Sequence, residues 1–120
     1  MSDIITIGVI GLGNAGTPIL NNLYKSKKYN LVAFDIDKNK LNNVSKGVVK
    51  VNSIKDLAEK CKVVITCLPK PEHVLNAVDG ENGLLQNASS GMIWIDTSTT
   101  DFKQTQKLAA KAKTCGVSML

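Results

Sequence analysis

Short apolar runs alternate along the chain with stretches in which apolar residues recur every three or four positions. The runs are rich in β-branched residues and predict β-strands at 4–10, 31–34, 48–51, 63–67, 92–96 and 117–120. The periodic stretches predict helices at 15–27, 38–45, 53–60, 72–78 and 101–113. In the helix at 72–78 we expect Val74, Leu75 and Val78 to face the core, because they fall on one side.

This alternation predicts an α/β fold with a doubly wound parallel sheet of the Rossmann type. Crossovers between parallel strands are right-handed, and the expected strand order is 3-2-1-4-5-6 in a single domain. The run 63–67 is continuously apolar, which indicates a central strand buried on both faces. Ligands of such sheets lie outside the carboxyl ends of the strands. Residues 11–16, 35, 68–71 and 97–100 all follow predicted strands.

The turn between the first predicted strand and the first predicted helix carries a G-x-G-x-x-G pattern. That pattern is specific only where it follows a strand and opens a helix, and both conditions are met here. Gly11 would allow a tight turn, Gly13 would leave room for a pyrophosphate, and Gly16 would let the helix pack closely on the strand. We therefore predict a dinucleotide bound at the helix N-terminus. The predicted cofactor-binding residues of this turn are Gly11, Leu12, Gly13, Asn14, Ala15 and Gly16.

An acidic residue at the end of the second predicted strand completes the pattern. Asp35 lies nineteen positions after Gly16, where a carboxylate accepts hydrogen bonds from the adenosine ribose and repels a 2′-phosphate. We predict NAD rather than NADP, and all fifteen basic residues are lysines rather than the arginines that usually bind a 2′-phosphate. Lys38 and Lys40 could still bind one, which leaves NADP as the less favoured alternative. Taken alone, Asp35 could instead be a solvated acid that opens a turn.

Composition narrows the function classes further. A content of 43% hydrophobic and 21% charged residues is typical of one globular domain of 120 residues. The net charge of +5 comes from scattered lysines, so we expect no nucleic-acid partner. Three cysteines without a C-x-x-C pair predict neither a disulfide framework nor a metal site. With no long apolar run or leader-like start we expect no membrane contact and a cytoplasmic location, or the mitochondrial matrix if a transit peptide has been removed.

Longer blocks resemble a known family. Residues 10–18, IGLGNAGTP, resemble the opening motif of the β-hydroxyacid dehydrogenases, which include 3-hydroxyisobutyrate dehydrogenase and carry an NAD-binding domain of the 6-phosphogluconate dehydrogenase type. Residues 67–74 (CLPKPEHV), 83–85 (GLL) and 95–99 (IDTST) are similar to the next three family blocks, in the same order. The pair 34–35 is similar to NAD-using members, whereas NADP-using members tend to have Asn-Arg there.

The resemblance implies roles for residues outside the glycine turn. It implies that Leu68 and Pro69 lie over the ribose and nicotinamide of the cofactor, that His73 and Thr99 contact the cofactor, and that Ser98 binds substrate. His73 replaces the commoner Asn, and an exposed histidine in the first turn of a helix is an equal alternative. The Ser/Thr cluster 97–100 could also cap the following helix.

The resemblance also implies what the whole protein does. It implies that residues 1–120 are the NAD(P)-binding domain of a longer, homo-oligomeric enzyme that oxidises a small 3-hydroxy acid to its semialdehyde, or the reverse, by hydride transfer to NAD. The family's catalytic lysine would lie beyond Leu120, so no catalytic residue is expected in these 120 residues. The alternatives are a non-catalytic nucleotide-binding or interaction module and an NAD-dependent enzyme of another class.

Overall fold

The computed structural model describes residues 4–98 and 101–120, and these form one six-stranded parallel sheet with helices on both faces. The order β3-β2-β1-β4-β5-β6 confirms the predicted doubly wound topology, with β1 and β4 at the centre. The strands are β1 (Thr6–Ile10), β2 (Asn30–Phe34), β3 (Val49–Lys50), β4 (Val63–Thr66), β5 (Ile93–Asp96) and β6 (Ser118–Met119).

The helices follow the predicted pattern with one addition. They are α1 (Gly16–Ser26), α2 (Lys38–Asn42), α3 (Ile54–Lys60), α4 (Pro71–Asp79), α5 (Leu84–Asn87) and α6 (Phe102–Thr114). The sequence did not predict α5, because four residues are too few to show a helical period. The prediction for α2 was three residues too long. None of these helices is long and apolar enough to cross a membrane.

Local side-chain chemistry fixes where several helices begin. Ser53 accepts a hydrogen bond from the backbone N–H of Asp56 at 3.1 Å and thereby caps α3. Asp101 caps α6 by accepting from the N–H of Gln104 at 3.3 Å. Helix α4 begins at Pro71, whose missing N–H costs nothing at the first helical position.

The core lies in two layers, one on each face of the sheet. One layer surrounds Trp94 and Val64 and includes Leu57, Val74 and Leu108. The prediction that Leu75 faces this layer was wrong, since 40% of its surface is exposed. Ile4 and Ile5 were predicted in the first strand, but they lie before it and are exposed. The second layer contains Val9, Leu20, Leu31, Leu41 and Val48.

Candidate dinucleotide site

A cavity of about 1250 Å³ opens at the carboxyl edge of the sheet, next to the ends of β1, β2, β4 and β5. It exceeds the roughly 300–1,000 Å³ of a typical small-molecule pocket and therefore has room for a ligand as long as a dinucleotide. Most of the predicted site residues line it together. These are Gly11, Leu12, Gly13, Asn14, Ala15, Asp35, Leu68, Pro69, His73 and Ser98. Thr99 lies outside the residues that the structure describes.

The three glycines of the turn meet three different spatial demands. Gly11 has φ +100°, a conformation that L side chains rarely adopt. A Cβ on Gly16 would stand 1.8 Å from the carbonyl oxygen of Gly11, so only glycine lets α1 approach the turn this closely. A Cβ on Gly13 would meet nothing within 4 Å. Gly13 therefore leaves open space on the cavity side of the turn, which is where a pyrophosphate needs to approach the backbone.

The N-terminus of α1 faces this open space without a side chain to cap it. Ala15 is the N-cap residue and makes no side-chain hydrogen bond to the helix. Helices α4 and α5 also have no side-chain cap, whereas α2, α3 and α6 are capped by side-chain oxygens. The first turn of a helix presents N–H groups and the positive end of the helix dipole. An uncapped terminus of this kind, next to a gap left by a glycine, suits a bound phosphate.

Asp35 joins the second strand to the glycine turn. Its half-buried carboxylate accepts hydrogen bonds from the backbone N–H of Leu12 at 2.7 Å and of Asp37 at 2.8 Å, one on each oxygen. The contact with Asp37 is the turn-opening role that the sequence left as an alternative. The contact with Leu12 fixes the turn. Each carboxylate oxygen retains a further lone pair, so Asp35 can also accept hydrogen bonds from a ligand.

The sequence analysis missed the apolar wall beside Asp35. Phe34, Ile36 and Ile54 line the same cavity, and 92% of the Ile36 surface is exposed. One signal was available in the sequence. Ile36 lies between two acids in a polar turn, where an apolar side chain is expected to be exposed rather than buried in the core. Lys40, which the sequence singled out for its charge, also lines the cavity. This side of the cavity thus combines apolar surface, the carboxylates of Asp35 and Asp37, and the ammonium group of Lys40.

The opposite side of the cavity is built by the segments that follow β4 and β5. The hydroxyl oxygen of Ser98 accepts a hydrogen bond from the backbone N–H of Leu68 at 2.8 Å, and the hydroxyl donates to the carbonyl of Thr66 at 3.3 Å. Thr97 donates to the same carbonyl through its N–H at 2.9 Å and its hydroxyl at 3.1 Å. Because Asp101 caps α6, the described members of the Ser/Thr cluster are free of that task and join the two strand ends instead.

Cys67 adds a neutral thiol to the cavity wall. Burial raises the pKa of this thiol, a hydrogen bond with the Thr97 hydroxyl partly opposes the rise, and the charge of Asp96 adds to it. The group is therefore protonated at neutral pH and contributes a small apolar surface. His73 is exposed at the rim of the cavity. Among residues 4–98 and 101–120, no group of three His, Cys, Asp or Glu side chains is arranged to hold a metal ion.

Comparison with known proteins gives a consistent result. The family model described as the NAD binding domain of 6-phosphogluconate dehydrogenase matches residues 6–120. Over 116 residues the chain is 39% identical to the probable mitochondrial 3-hydroxyisobutyrate dehydrogenase of Dictyostelium discoideum, covering 96% of this chain and 36% of that protein.

Two solved structures have the same fold. The 3-hydroxyisobutyrate dehydrogenase of Mycobacterium tuberculosis, solved with L-serine, superposes with a TM-score of 0.87 at 26% identity, over 98% of this chain and 39% of that chain. Psf3, solved with NADP+ and 2-OPP, superposes with a TM-score of 0.88 at 24% identity, over 94% of this chain and 40% of that chain. The chain thus spans less than half the length of each of these relatives.

Proposed function

Because the chain belongs to the family of the NAD-binding domain of 6-phosphogluconate dehydrogenase, we propose that its cavity binds NAD. We further propose that residues 1–120 are the cofactor domain of a longer oxidoreductase. The observation that carries the proposal is the open space at Gly13 beside the uncapped N-terminus of α1. A Cβ on Gly11 or Gly16 would overlap backbone atoms, whereas a Cβ on Gly13 would meet nothing, so packing within the protein does not explain the glycine at 13.

The choice of NAD over NADP rests on Asp35. A ribose hydroxyl can donate to its remaining lone pairs, whereas a 2′-phosphate there would meet a carboxylate that two backbone N–H groups already hold in place. Lys40 lines the same cavity and is the residue that could favour NADP. Psf3, which shares the fold, was solved with NADP+, so NADP is the alternative that the experiment must separate.

The nicotinamide end of the cofactor is assigned to the opposite side of the cavity. Leu68, Pro69 and Ser98 line this side, and we propose that Leu68 and Pro69 lie over the nicotinamide half and that Ser98 binds a substrate. The carbonyl of Thr66 keeps two hydrogen bonds from Thr97, so the Ser98 hydroxyl can turn from this carbonyl to a ligand at little cost. His73 at the rim and Thr99 outside the described residues remain predicted cofactor contacts.

For the whole protein we propose the oxidation of a small 3-hydroxy acid to its semialdehyde, or the reverse. NAD supplies the hydride chemistry when bound, and the domain contributes binding and orientation. The relatives named 3-hydroxyisobutyrate dehydrogenase motivate this substrate class. The proton-accepting lysine would lie outside these 120 residues, the enzyme would be a homo-oligomer, and it would work in the cytoplasm or the mitochondrial matrix.

A titration of the chain with NAD and separately with NADP tests the cofactor proposal. Trp94 fluorescence and thermal stabilisation report binding, and the variants are Asp35→Ala and, as a control that removes one negative charge elsewhere, Glu59→Ala on α3. We expect saturable NAD binding that weakens about tenfold or more in Asp35→Ala, because a charged hydrogen-bond acceptor is lost, and is unchanged in Glu59→Ala. The ratio of NADP to NAD affinity should rise in Asp35→Ala. Absence of NAD binding, or equal weakening by both variants, would contradict the proposal.

A further inference from the structure

The only polar side chain among the fully buried residues that the structure describes is that of Thr66, at the carboxyl end of β4. Its relative exposure is 0%, in the strand between β1 and β5. A buried hydroxyl destabilises a fold unless it is hydrogen-bonded, and valine fills the same volume but can accept no hydrogen bond. A threonine at this position therefore calls for a reason beyond packing.

The Thr66 hydroxyl connects the core to a carboxylate. The indole N–H of Trp94 donates to Thr66 Oγ1 at 2.8 Å, and Thr66 Oγ1 donates to Asp96 Oδ1 at 2.9 Å. An indole nitrogen can only donate, so the direction is fixed: the Thr66 hydroxyl accepts from Trp94 and its proton points to Asp96. The carboxylate of Asp96 is held from inside the core.

The same carboxylate oxygen reaches the cavity wall through Ser98. Asp96 Oδ1 also accepts from the backbone N–H of Ser98 at 2.9 Å, and Ser98 Oγ accepts from the N–H of Leu68 at 2.8 Å. The Ser98 hydroxyl donates back to the carbonyl of Thr66 at 3.3 Å. A continuous series of hydrogen bonds thus runs from Trp94 in the core to the Leu68–Pro69 segment.

We propose that Thr66 and Asp96 are positioning residues, which hold Ser98 and the Leu68–Pro69 segment in place at the cofactor cavity before any ligand binds. Neither residue is assigned contact with cofactor or substrate. They fix the backbone N–H of Ser98, which sets where its hydroxyl stands, and that hydroxyl in turn holds Leu68. A segment that is already ordered loses less entropy when a ligand binds, so this arrangement would favour NAD binding. This part of the inference rests on the proposed function.

Removal of the Thr66 hydroxyl could have two effects, a loss of stability in the core and a gain in mobility at the cavity wall. Thr66→Val keeps the shape but leaves the Trp94 N–H without its acceptor, and it removes one of the two donors that the described residues supply to Asp96 Oδ1. If Thr66 merely stabilises the core, the loss of stability is the whole effect. If it positions the wall, Leu68 and Ser98 also become mobile, and NAD affinity falls with them.

Amide hydrogen exchange of the chain without ligand, followed by NAD titration, distinguishes the two. The variants are Thr66→Val, Thr66→Ser, which retains the hydroxyl, and Val48→Ala, which opens a cavity in the other core layer near the edge strand β3. In Thr66→Val we expect the Leu68 and Ser98 amides to exchange about tenfold faster and the Kd for NAD to rise about fivefold, through local opening of this segment. Thr66→Ser should resemble the wild type, and Val48→Ala should lose stability without either change.

Asp96→Ala provides a second route should Thr66→Val fail to fold, because Asp96 is only half-buried and its loss releases the same Ser98 N–H. Equal Leu68 exchange and equal NAD affinity in Asp96→Ala and Val48→Ala would overturn the positioning role. Faster exchange with weaker NAD binding in Asp96→Ala supports it. Failure of the proposed function shows separately, as absence of NAD binding by the wild type, while the exchange measurement needs no ligand.

Discussion

The two sides of the cavity are built by opposite means. On the side of β1 and β2, the turn is shaped by side chains that are missing, at Gly11, Gly13 and Gly16, and one carboxylate holds it. On the side of β4 and β5, a connected set of side-chain hydrogen bonds from the core holds the wall. The first side is therefore sensitive to added atoms, and the second is sensitive to removed ones.

Substitution by alanine at Gly16 and at Gly13 should give the largest effects. The pair tests whether the glycine turn is sensitive to added atoms. At Gly16 helix propensity favours alanine by about 1 kcal/mol, but the new Cβ would stand 1.8 Å from the Gly11 carbonyl oxygen. We expect Gly16→Ala to lower the free energy of unfolding by about 3 kcal/mol or more, because backbone must move to relieve the overlap. Urea denaturation followed by circular dichroism measures it.

Gly13→Ala is the matched partner of that variant. Its Cβ meets nothing within 4 Å in the protein, so stability should stay within about 0.5 kcal/mol of the wild type. NAD affinity should nevertheless fall about tenfold or more, since the methyl group occupies the space for the pyrophosphate. Unchanged NAD affinity in a fully folded Gly13→Ala would show that this gap does not receive the cofactor.

The difference between the two sides also explains what the sequence could predict. The glycine turn and Asp35 could be predicted from the sequence, because a backbone that turns sharply and leaves room for a ligand admits few residue types. The series of hydrogen bonds through Thr66 could not be predicted, because a threonine in an apolar run is usual in a strand. Its partners Trp94 and Asp96 come from another strand, 28 and 30 residues away. The predicted topology placed residues 97–100 at the carboxyl edge, but the substrate-binding role of Ser98 came only from the family resemblance.

The same limit applies to the fold. The alternation of strands and helices predicted the sheet order, because topology follows from a few general rules. Helix α5 has only four residues and no measurable period, and Leu75 matched the helical spacing but faces solvent. These outcomes depend on how neighbouring elements pack, which a single stretch of sequence does not encode.

A second prediction sharpens the account of the β4 and β5 side. Trp94→Phe removes the indole N–H but leaves the Thr66 hydroxyl free to donate to Asp96. We expect a loss of about 2 kcal/mol in stability from the unpaired Thr66 oxygen and the lost packing, with Leu68 amide exchange close to that of the wild type. Exchange as fast as in Thr66→Val would mean that core packing, rather than the Asp96 contact, holds the wall.

The next prediction concerns the buried thiol of Cys61. Cys61 packs against β1, where a Cβ on Gly8 would stand 2.8 Å from its sulfur. Burial raises the pKa of this thiol from 9.0 to about 12, and the charge of Lys60 opposes the rise only partly. Between these values the unfolded chain has lost the proton and the folded chain retains it, so folding stability is complete below pH 9 and falls as the pH rises towards 12.

The slope is at most about 1.4 kcal/mol per pH unit. Urea denaturation at a series of alkaline pH values measures it, with Cys61→Ala expected to fall less steeply than the wild type. Cys115→Ala, at a half-buried thiol at the C-terminal end of α6, serves as control and should keep the full slope. Parallel slopes for the wild type and Cys61→Ala would show that this thiol does not carry the alkaline loss.

The smallest expected effect is at Lys40, the ammonium group that lines the cavity beside Asp35. Lys40→Ala should weaken NADP binding a few-fold, roughly the contribution of one exposed charge, and leave NAD binding nearly unchanged. Parallel titrations with the two cofactors measure this ratio, and Lys55→Ala on α3 is the control. An equal loss for both cofactors would place Lys40 near a group that NAD and NADP share.

We propose that NAD binds across the carboxyl edge of the sheet, between the glycine turn and the Leu68–Pro69 segment. A two-dimensional NMR titration of the chain with NAD tests it most directly, by following the amides of Gly13, Asn14, Asp37 and Leu68. We predict saturable shifts at these four amides with one shared Kd, and little change at Leu85 on α5. Shifts confined to one side of the cavity, or no saturable shift at all, would contradict the account.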